Sequence, residues 1–274
     1  MLCMQVTRQE KCIHSRMDAA LESNRRSEQP RLTPADHAWG QTESFTSRMR
    51  WPLQNITNAA AESAFMPGIV LPDSALVREA TQFIQDTEST LLFNHSSRVF
   101  CFASLAGQSR ALKFDPELLY VAAMFHDLGF VPRYSSLQDR FEVDGANAAR
   151  SFLLTHNIAQ SEVDDVWTAI ALHTTPGIPQ YMHPVVALVT AGVELDVLGI
   201  GLPDLDEAKR KGVLARFPRT EHFKEDIIQA FYDGIKHKPE TTFGNIKADV
   251  LAEKDPQFKR INFCSIIRAS AWRS

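Results

Sequence analysis

The stretch LYVAAMFHDLG, residues 119–129, decides the fold of this chain. It is an apolar run with helical spacing that ends in two adjacent polar residues, His126 and Asp127. Burying an imidazole and a carboxylate in such a run costs free energy unless a partner replaces their lost hydration. Gly129 follows as a C-terminal cap would, so we expect the pair in the last turn of a core helix, at the mouth of a packed bundle.

Helical spacing of apolar residues continues on both sides of this stretch, and no segment alternates as a strand would. The chain is therefore predicted to be all-α, with a single domain over residues 63–274. Residues 1–62 are polar without a sustained period, and we expect a poorly ordered extension there. The predicted helices cover residues 74–86, 90–107, 116–127, 145–156, 162–173, 184–198, 207–217, 221–236 and 245–253.

Composition narrows the classes of function. The formal net charge of -4 and the pI near 6.1 give no electrostatic footprint for nucleic acid. No apolar run approaches the roughly 18 residues of a membrane helix, so no membrane partner is expected. The four cysteines are scattered without metal-binding spacing, which suits a reducing cytoplasm. A small-molecule substrate is the expected partner, and a homo-oligomer remains an open alternative.

Two other predicted helices also carry a metal-binding side chain on an apolar face, His95 on one and Asp196 on the other. An isolated buried carboxylate such as Asp196 is strongly disfavoured. One divalent cation shared by His95, His126, Asp127 and Asp196 would compensate all four groups at once. This ligand set suits Zn²⁺, Fe²⁺ or Mn²⁺. A metal there would lower the pKa of a bound water and make it a nucleophile near neutral pH.

The order of these residues along the chain resembles that of the HD-domain superfamily of metal-dependent hydrolases: His95, then His126-Asp127, then Asp196. Several phrases are similar to its cyanamide hydratase branch of fungal type. They are LFNHSSRVF at 92–100, LLYVAAMFHD at 118–127, RFEVDGA at 140–146, LHTTPGI at 172–178, TAGVELDVLG at 190–199 and ARFPR at 215–219. The resemblance implies an HD-domain helical bundle with a metal site between core helices. It also implies a lyase that hydrates the nitrile of cyanamide to urea.

Three residues are expected to take part in this chemistry beyond holding the metal. They are Asp127 itself, Glu142 as an acid/base or as a holder of the water, and His173 as a proton carrier. His173 fits equally well as a surface histidine at a helix end, and Glu142 also fits as a solvated loop acid. Asp144 is interpreted as a helix cap. Arg98, one turn from His95, could neutralise a carboxylate of the metal site, but a surface ion pair is the preferred interpretation.

One departure from the family pattern concerns the number of metals. Relatives with two metals commonly have a histidine before the glutamate of the RFEVDGA phrase, and this chain has Phe141 there. The resemblance therefore implies a single metal ion, with zinc as the first choice.

Two other functions stay open at this stage. An HD-type phosphohydrolase of nucleotides would need cations that converge on phosphate, and Arg133, Arg140 and Lys113 are available for that role. A non-catalytic HD module used for binding is the third hypothesis. Loss of a metal ligand would indicate such a module, and this chain has all four.

Overall fold

The computed structural model describes residues 68–242 and 246–273, which form ten α-helices joined by short 3₁₀ turns and loops. No strand occurs among these residues, so the predicted all-α class is confirmed. The helices are α1 Ala75–Thr87, α2 Thr90–Ser109, α3 Pro116–Phe125, α4 Phe141–Thr155, α5 Gln160–Leu172, α6 Pro184–Val193, α7 Glu207–Arg216, α8 Phe223–Ile235, α9 Ile246–Lys254 and α10 Phe263–Ala269.

Helix α3 lies at the centre of the bundle. All of its residues from Leu118 to Phe125 are buried, and it contacts α1, α2, α4, α5 and α6. A helix that is apolar all round has no face to offer to water, so surrounding it on every side is the stable arrangement. Its start is fixed by Asp115, whose carboxylate accepts hydrogen bonds from the amides of Glu117 and Leu118, with Pro116 in the first helical position.

The end of α3 differs slightly from the prediction. The α-helix stops at Phe125, His126 is its C-cap, and Asp127 precedes a 3₁₀ turn over Leu128–Phe130. With this tighter turn, the side chains of His126 and Asp127 point towards the same interior space. In a continuous helix they would point about 100° apart.

The predicted start of α4 at Gly145 is wrong. The helix begins four residues earlier, at Phe141, and Arg140 is its N-cap residue. Asp144 is therefore inside the first turn and does not cap the helix. Its carboxylate accepts a hydrogen bond from the amide of Ser136 at 2.9 Å and forms a buried ion pair with Lys238 at 2.5 Å. This ion pair joins α4 to the segment that follows α8.

Helix α6 ends in a π-helical turn, Glu194–Leu198, which contains Asp196. Wider turns of this kind are common at functional sites, because the extra residue rotates a side chain out of the regular helical position. Gly199 then closes the turn with a left-handed φ of 70°, where a glycine carries no steric penalty.

The C-terminal helix α10 was not among the predicted helices. The tryptophan that follows it, Trp272, is buried and donates a hydrogen bond from Nε1 to the carbonyl oxygen of Leu195 at 2.6 Å. The end of the chain is thus packed against the π-helical turn that carries Asp196.

Two predictions concern the N-terminal segment and membrane-spanning helices. The N-terminal extension over residues 1–62 lies outside the described residues. None of the described helices is long and apolar enough to cross a membrane.

Cys101 is a buried free thiol, and burial raises its pKa to about 12, as expected for a cysteine that serves as a small apolar side chain.

We predict that Gly129→Ala destabilises the protein by about 2 kcal/mol or more, because overpacking against a fixed backbone cannot relax. A Cβ atom at this position would lie 2.0 Å from the carbonyl oxygen of Phe141, in the first turn of α4. Thermal or urea unfolding would measure the loss.

Gly201→Ala is the control for this experiment. Gly201 has a left-handed φ of 82°, which Gly129 does not, but a Cβ there meets no atom within 4 Å, so only about 1 kcal/mol of backbone strain is expected. Equal melting temperatures for Gly129→Ala and the wild type would show that α4 is not packed on the turn as described.

Candidate metal centre

The structure brings three of the predicted metal ligands together. His95 comes from the N-terminal half of α2, and His126 and Asp127 come from the end of α3. All three are buried, with at most 1% of each residue exposed. One ligand atom from each lies within 4.8 Å of the other two, and no other such group of metal-binding side chains occurs among the described residues.

The distances between these ligand atoms suit a common ion. Nε2 of His95 lies 3.2 Å from Nε2 of His126, and Oδ2 of Asp127 lies 3.5 Å and 3.3 Å from these two nitrogens. Two ligands bound tetrahedrally at about 2.0–2.1 Å would be about 3.3 Å apart. The three atoms are therefore spaced as ligands of one shared cation would be.

Hydrogen bonds behind the two imidazoles fix which nitrogen faces the centre. Nδ1 of His126 donates to the carbonyl oxygen of Ala123 at 2.7 Å, and Nδ1 of His95 donates to Oδ2 of Asp196 at 2.7 Å. Each ring then presents Nε2 with its lone pair inward, which is the form that binds metals. Two lone pairs 3.2 Å apart repel each other unless a proton or a cation lies between them.

Asp127 is the strongest reason to infer a cation. Both of its carboxylate oxygens are buried and make no hydrogen bond. Buried carboxylates without partners are rare in folded proteins, and one proton shared by two imidazoles cannot compensate both oxygens. One divalent ion would neutralise the carboxylate and occupy the lone pairs of His95 and His126. The residues present therefore fit the predicted divalent metal, although they do not select zinc over iron or manganese.

The pKa shifts of these residues also indicate a site for positive charge. Burial by itself would raise the pKa of Asp127, but the neighbouring imidazoles, His126 first, hold it far below the ordinary range. Burial lowers the pKa of His126, and the charge of Asp127 more than offsets this and raises it overall. His95 is different, because burial dominates and lowers its pKa. An ionised carboxylate thus lies at the centre and attracts positive charge.

Asp196 does not occupy the place predicted for it. Its side chain is outside the group that could share the ion and lies behind His95, with Oδ2 bound to Nδ1 of that ring. Arg98 donates to both of its oxygens, at 2.8 and 2.9 Å, and Arg219 donates to Oδ1 at 3.0 Å. Since every lone-pair direction of its carboxylate faces one of these donors, we propose that Asp196 orients His95, in place of the predicted direct ligation.

Arg98 therefore has the less favoured of its two predicted roles, the neutralisation of a carboxylate at the site, and the preferred surface ion pair is wrong. It is fully buried, one turn after His95 on α2, and its paired hydrogen bonds to Asp196 hold α2 against the turn that ends α6. Arg219 completes this layer. Its guanidinium lies over the ring of Phe223 at 3.8 Å, and burial lowers its pKa to about 10. Even so, it remains charged at neutral pH.

His173 lies beside the three-ligand group. It is the C-cap of α5 and 2% exposed, so it is not the surface histidine that was one of its two readings. Nδ1 donates to the carbonyl oxygen of Ile170 at 2.7 Å, and Nε2 points inward, 3.6 Å from Oδ1 of Asp127, without a hydrogen bond. A free imidazole nitrogen beside the centre can accept or deliver a proton.

Glu142 is buried too, which excludes the reading of a solvated loop acid. Its carboxylate pairs with Arg140 and accepts a short hydrogen bond from the hydroxyl of Thr174, the residue after His173. Burial would raise the pKa of Glu142, but Arg140 and Thr174 lower it below the ordinary value. The group is therefore a fixed, ionised acid that connects the start of α4 to the end of α5.

Phe141 fills the position where relatives with two metals have a histidine. Its ring is buried, stacks on Phe130 with a centroid distance of 4.1 Å, and meets His173 edge-on at 5.6 Å. An aromatic ring supplies no ligand, so this side of the centre is an apolar wall.

Sequence patterns missed several residues of this site. Arg219 and Thr174 lie in loops, where periodicity gives no signal. A signal did exist for Arg98. It follows His95 by three residues, and this spacing places both side chains on one face of a helix.

Comparison with known proteins agrees with this geometry. Residues 92–209 match the family model described as the HD domain. The match covers a little under half of the chain and includes the four predicted ligands from His95 to Asp196. It supports the HD-domain superfamily and a metal-dependent activity of hydrolase type. A search of curated proteins found no match to the chain.

We predict that removing a ligand and removing Asp196 have different effects on metal binding. His126→Ala should abolish stoichiometric metal, whereas Asp196→Asn should weaken binding by about 10–100-fold, the usual effect of losing a residue that orients a ligand. Elemental analysis and competition with a chromophoric chelator would measure both.

A matched control is His156→Ala, because His156 is a partly buried histidine that pairs with Glu79 and is outside the three-ligand group. It should keep full metal content. Loss of all metal in Asp196→Asn that is still folded by circular dichroism would instead make Asp196 a direct ligand.

Proposed function

We propose that this HD-domain chain is a metal-dependent enzyme that adds water to the nitrile of cyanamide and releases urea. The observation that carries the proposal is the free Nε2 of His173, 3.6 Å from Asp127, beside a three-residue group that could hold a metal ion. The resemblance of the surrounding phrases to cyanamide hydratases supplies the substrate, and another small nitrile would fit the same chemistry.

One divalent ion would be held by His95, His126 and Asp127, with zinc the first choice and Fe²⁺ or Mn²⁺ as alternatives. When bound, such an ion lowers the pKa of water and polarises a nitrile nitrogen. Asp196 would keep the ring of His95 in the orientation that binds it.

His173 is suited to move the proton that hydration requires. Adding water to a nitrile forms a carbon–oxygen bond, removes a proton from the water and adds a proton to the nitrogen. Nε2 of His173 can accept the first proton and deliver it to the nitrogen, because Nδ1 stays bound to the carbonyl of Ile170 throughout. The resulting isourea isomerises to urea without a further reactant.

Glu142 is assigned a positioning role in this proposal. Its oxygens already bind Arg140 and Thr174, so they are less available to a substrate than the free nitrogen of His173. Holding Thr174 fixes the backbone next to His173. Phe130 and Phe141 would exclude water from this side, which favours a small substrate without charge.

A phosphohydrolase of nucleotides remains the alternative, since the HD-domain match is equally compatible with it. The basic residues available for phosphate argue against it. Arg140 is paired with Glu142, Arg133 is exposed, and Lys113 follows the far end of α2, about 20 Å along the helix from His95. A non-catalytic binding module is the third alternative, and the free nitrogen of His173 disfavours it.

The remaining expectations about partners are part of the proposal. The net charge of -4 favours a small-molecule substrate over nucleic acid, and a cytoplasmic location without a membrane partner is proposed with it. Exposed apolar residues near the C-terminus, such as Ile261 and Val250, keep a homo-oligomer open.

We expect metal-loaded protein to release urea from cyanamide, and His126→Ala to release none. Urea would be measured enzymatically, beside phosphate release from a panel of nucleoside monophosphates and elemental analysis of the same sample. Phosphate release without urea would replace the hydratase with the phosphohydrolase. Bound metal with neither product would favour the binding module.

His173→Gln should lower kcat by about 10²–10⁴-fold, the usual contribution of a proton-transfer group, while metal content stays at the wild-type value. Glutamine keeps a hydrogen-bonding side chain but cannot carry the proton. His156→Ala again serves as the control. If His173→Gln lost its metal instead, His173 would be a ligand and the assignment of the proton carrier would fail.

A further inference from the structure

Trp272 contacts the support of the metal centre from a part of the chain that the HD match does not cover. Residues 92–209 match the HD domain, whereas Trp272 follows α10. Only 3% of it is exposed, and its ring packs on Phe102 of α2 with a centroid distance of 5.9 Å. A buried tryptophan usually has a partner for its N–H, so the identity of that partner is informative.

The partner of the indole N–H is a main-chain oxygen of the π-helical turn after α6. Nε1 of Trp272 donates to the carbonyl oxygen of Leu195 at 2.6 Å. The next carbonyl oxygen along the chain, that of Asp196, accepts a hydrogen bond from Nη1 of Arg219 at 2.6 Å. Two consecutive carbonyl oxygens of the turn are therefore bound by side chains that lie outside it.

A π-helical turn depends on such contacts more than an α-helical turn does. It is a rare conformation with one residue more than an α-helical turn would contain. Successive residues of an α-helix point about 100° apart, so a return to the α-helical register would turn Asp196 away from His95. In the observed register, Oδ2 of Asp196 lies 2.7 Å from Nδ1 of that ring. The side chains that bind the turn thus support this hydrogen bond.

Trp272 also acts on the turn through Arg219. Cζ of Arg219 lies 4.8 Å from the centre of the indole ring and 3.8 Å from the centre of the Phe223 ring. Nη1 of Arg219 donates to Oδ1 of Asp196 as well as to its carbonyl oxygen, which fixes the carboxylate relative to its own backbone. Nε and Nη2 of Arg219 have no hydrogen-bond partner. The two aromatic rings therefore place this guanidinium, and the indole is one of them.

We propose that Trp272 is a positioning residue for the metal centre. It holds the π-helical turn and Arg219 in place, these present Asp196 to His95, and the ring of His95 then directs Nε2 towards the ion. The inference rests on the metal-dependent part of the proposed function and is independent of the substrate. It makes the affinity for the metal depend on a residue outside the HD match.

A residue that only stabilised the fold would give a different result in double mutants. Its replacement would change metal affinity by the same factor whether or not Asp196 is present. The effect of a residue that acts through Asp196 should disappear once that carboxylate has been replaced, because effects within one network of contacts are not additive.

The test is a double-mutant cycle of Trp272→Phe and Asp196→Asn, with zinc affinity measured by competition with a chromophoric chelator. Phenylalanine removes the N–H and keeps an aromatic ring, and the carbonyl oxygen of Leu195 stays bound to the amide of Gly199. Trp272→Phe alone should weaken zinc binding about three- to tenfold, less than the loss of a residue that touches a ligand. In the Asp196→Asn protein it should change the affinity by less than about twofold.

Trp167→Phe is the matched control, since Nε1 of Trp167 donates to Oδ1 of Asn147 at 2.9 Å, on another pair of helices. It should bind zinc as the wild type does. Wild-type affinity in Trp272→Phe, or an equal factor in the two backgrounds of the cycle, would overturn the inference. Replacement of Trp272 by benzothienylalanine, which has sulfur in place of the N–H and the same two-ring shape, should also weaken zinc binding and excludes an effect of the smaller ring.

The proton on Nδ1 of His95 gives a second measurement that needs no metal. It lies in the hydrogen bond to Asp196, so in metal-free protein it should exchange slowly with water, as seen by NMR. Trp272→Phe should speed this exchange, and Trp167→Phe should not. If the wild type bound no zinc, the metal-dependent function would be rejected and this exchange would decide the role of Trp272. An unchanged exchange rate in Trp272→Phe would then overturn the inference as well.

Discussion

Two carboxylates buried in an apolar bundle must be compensated by positive charge, and this constraint shapes the whole site. Asp196 is compensated by the protein itself, through Arg98, Arg219 and the ring of His95. Asp127 has imidazoles around it and no donor on either oxygen. The first carboxylate therefore belongs to the scaffold, and the second attracts a cation from outside the chain.

The scaffold around Asp196 extends far beyond the centre. Arg98 joins α2 to the π-helical turn after α6, and Arg219 lies against Phe223 at the start of α8. Trp272 packs on the same turn from the end of the chain. Elements distant in sequence thus meet at one ionised group, and their packing sets the orientation of His95. In this way the fold outside the HD match contributes to the geometry of the centre.

The chemistry that such a centre can perform depends on what lies beside it. His173 offers a free nitrogen, and Phe141 gives an apolar wall. For the proposed hydratase, these neighbours suit a small uncharged substrate whose reaction needs one proton moved over a short distance. Metal-dependent hydrolysis of a phosphate ester would call for fixed cations here, and the arginines of the site are already bound to carboxylates.

The sequence by itself determined the fold class, the central helix and the set of residues that had to be explained, because apolar periodicity and the cost of burying His126 and Asp127 are local properties. Only the tertiary structure decided which of those residues face the centre and which support it from behind. The sequence allowed both Asp196 and His173 to face the metal. In the structure, Asp196 binds arginines behind His95, whereas His173 points at Asp127. Such a division depends on which side chains meet across 98 or 101 residues of chain, and helical spacing carries no information at that distance.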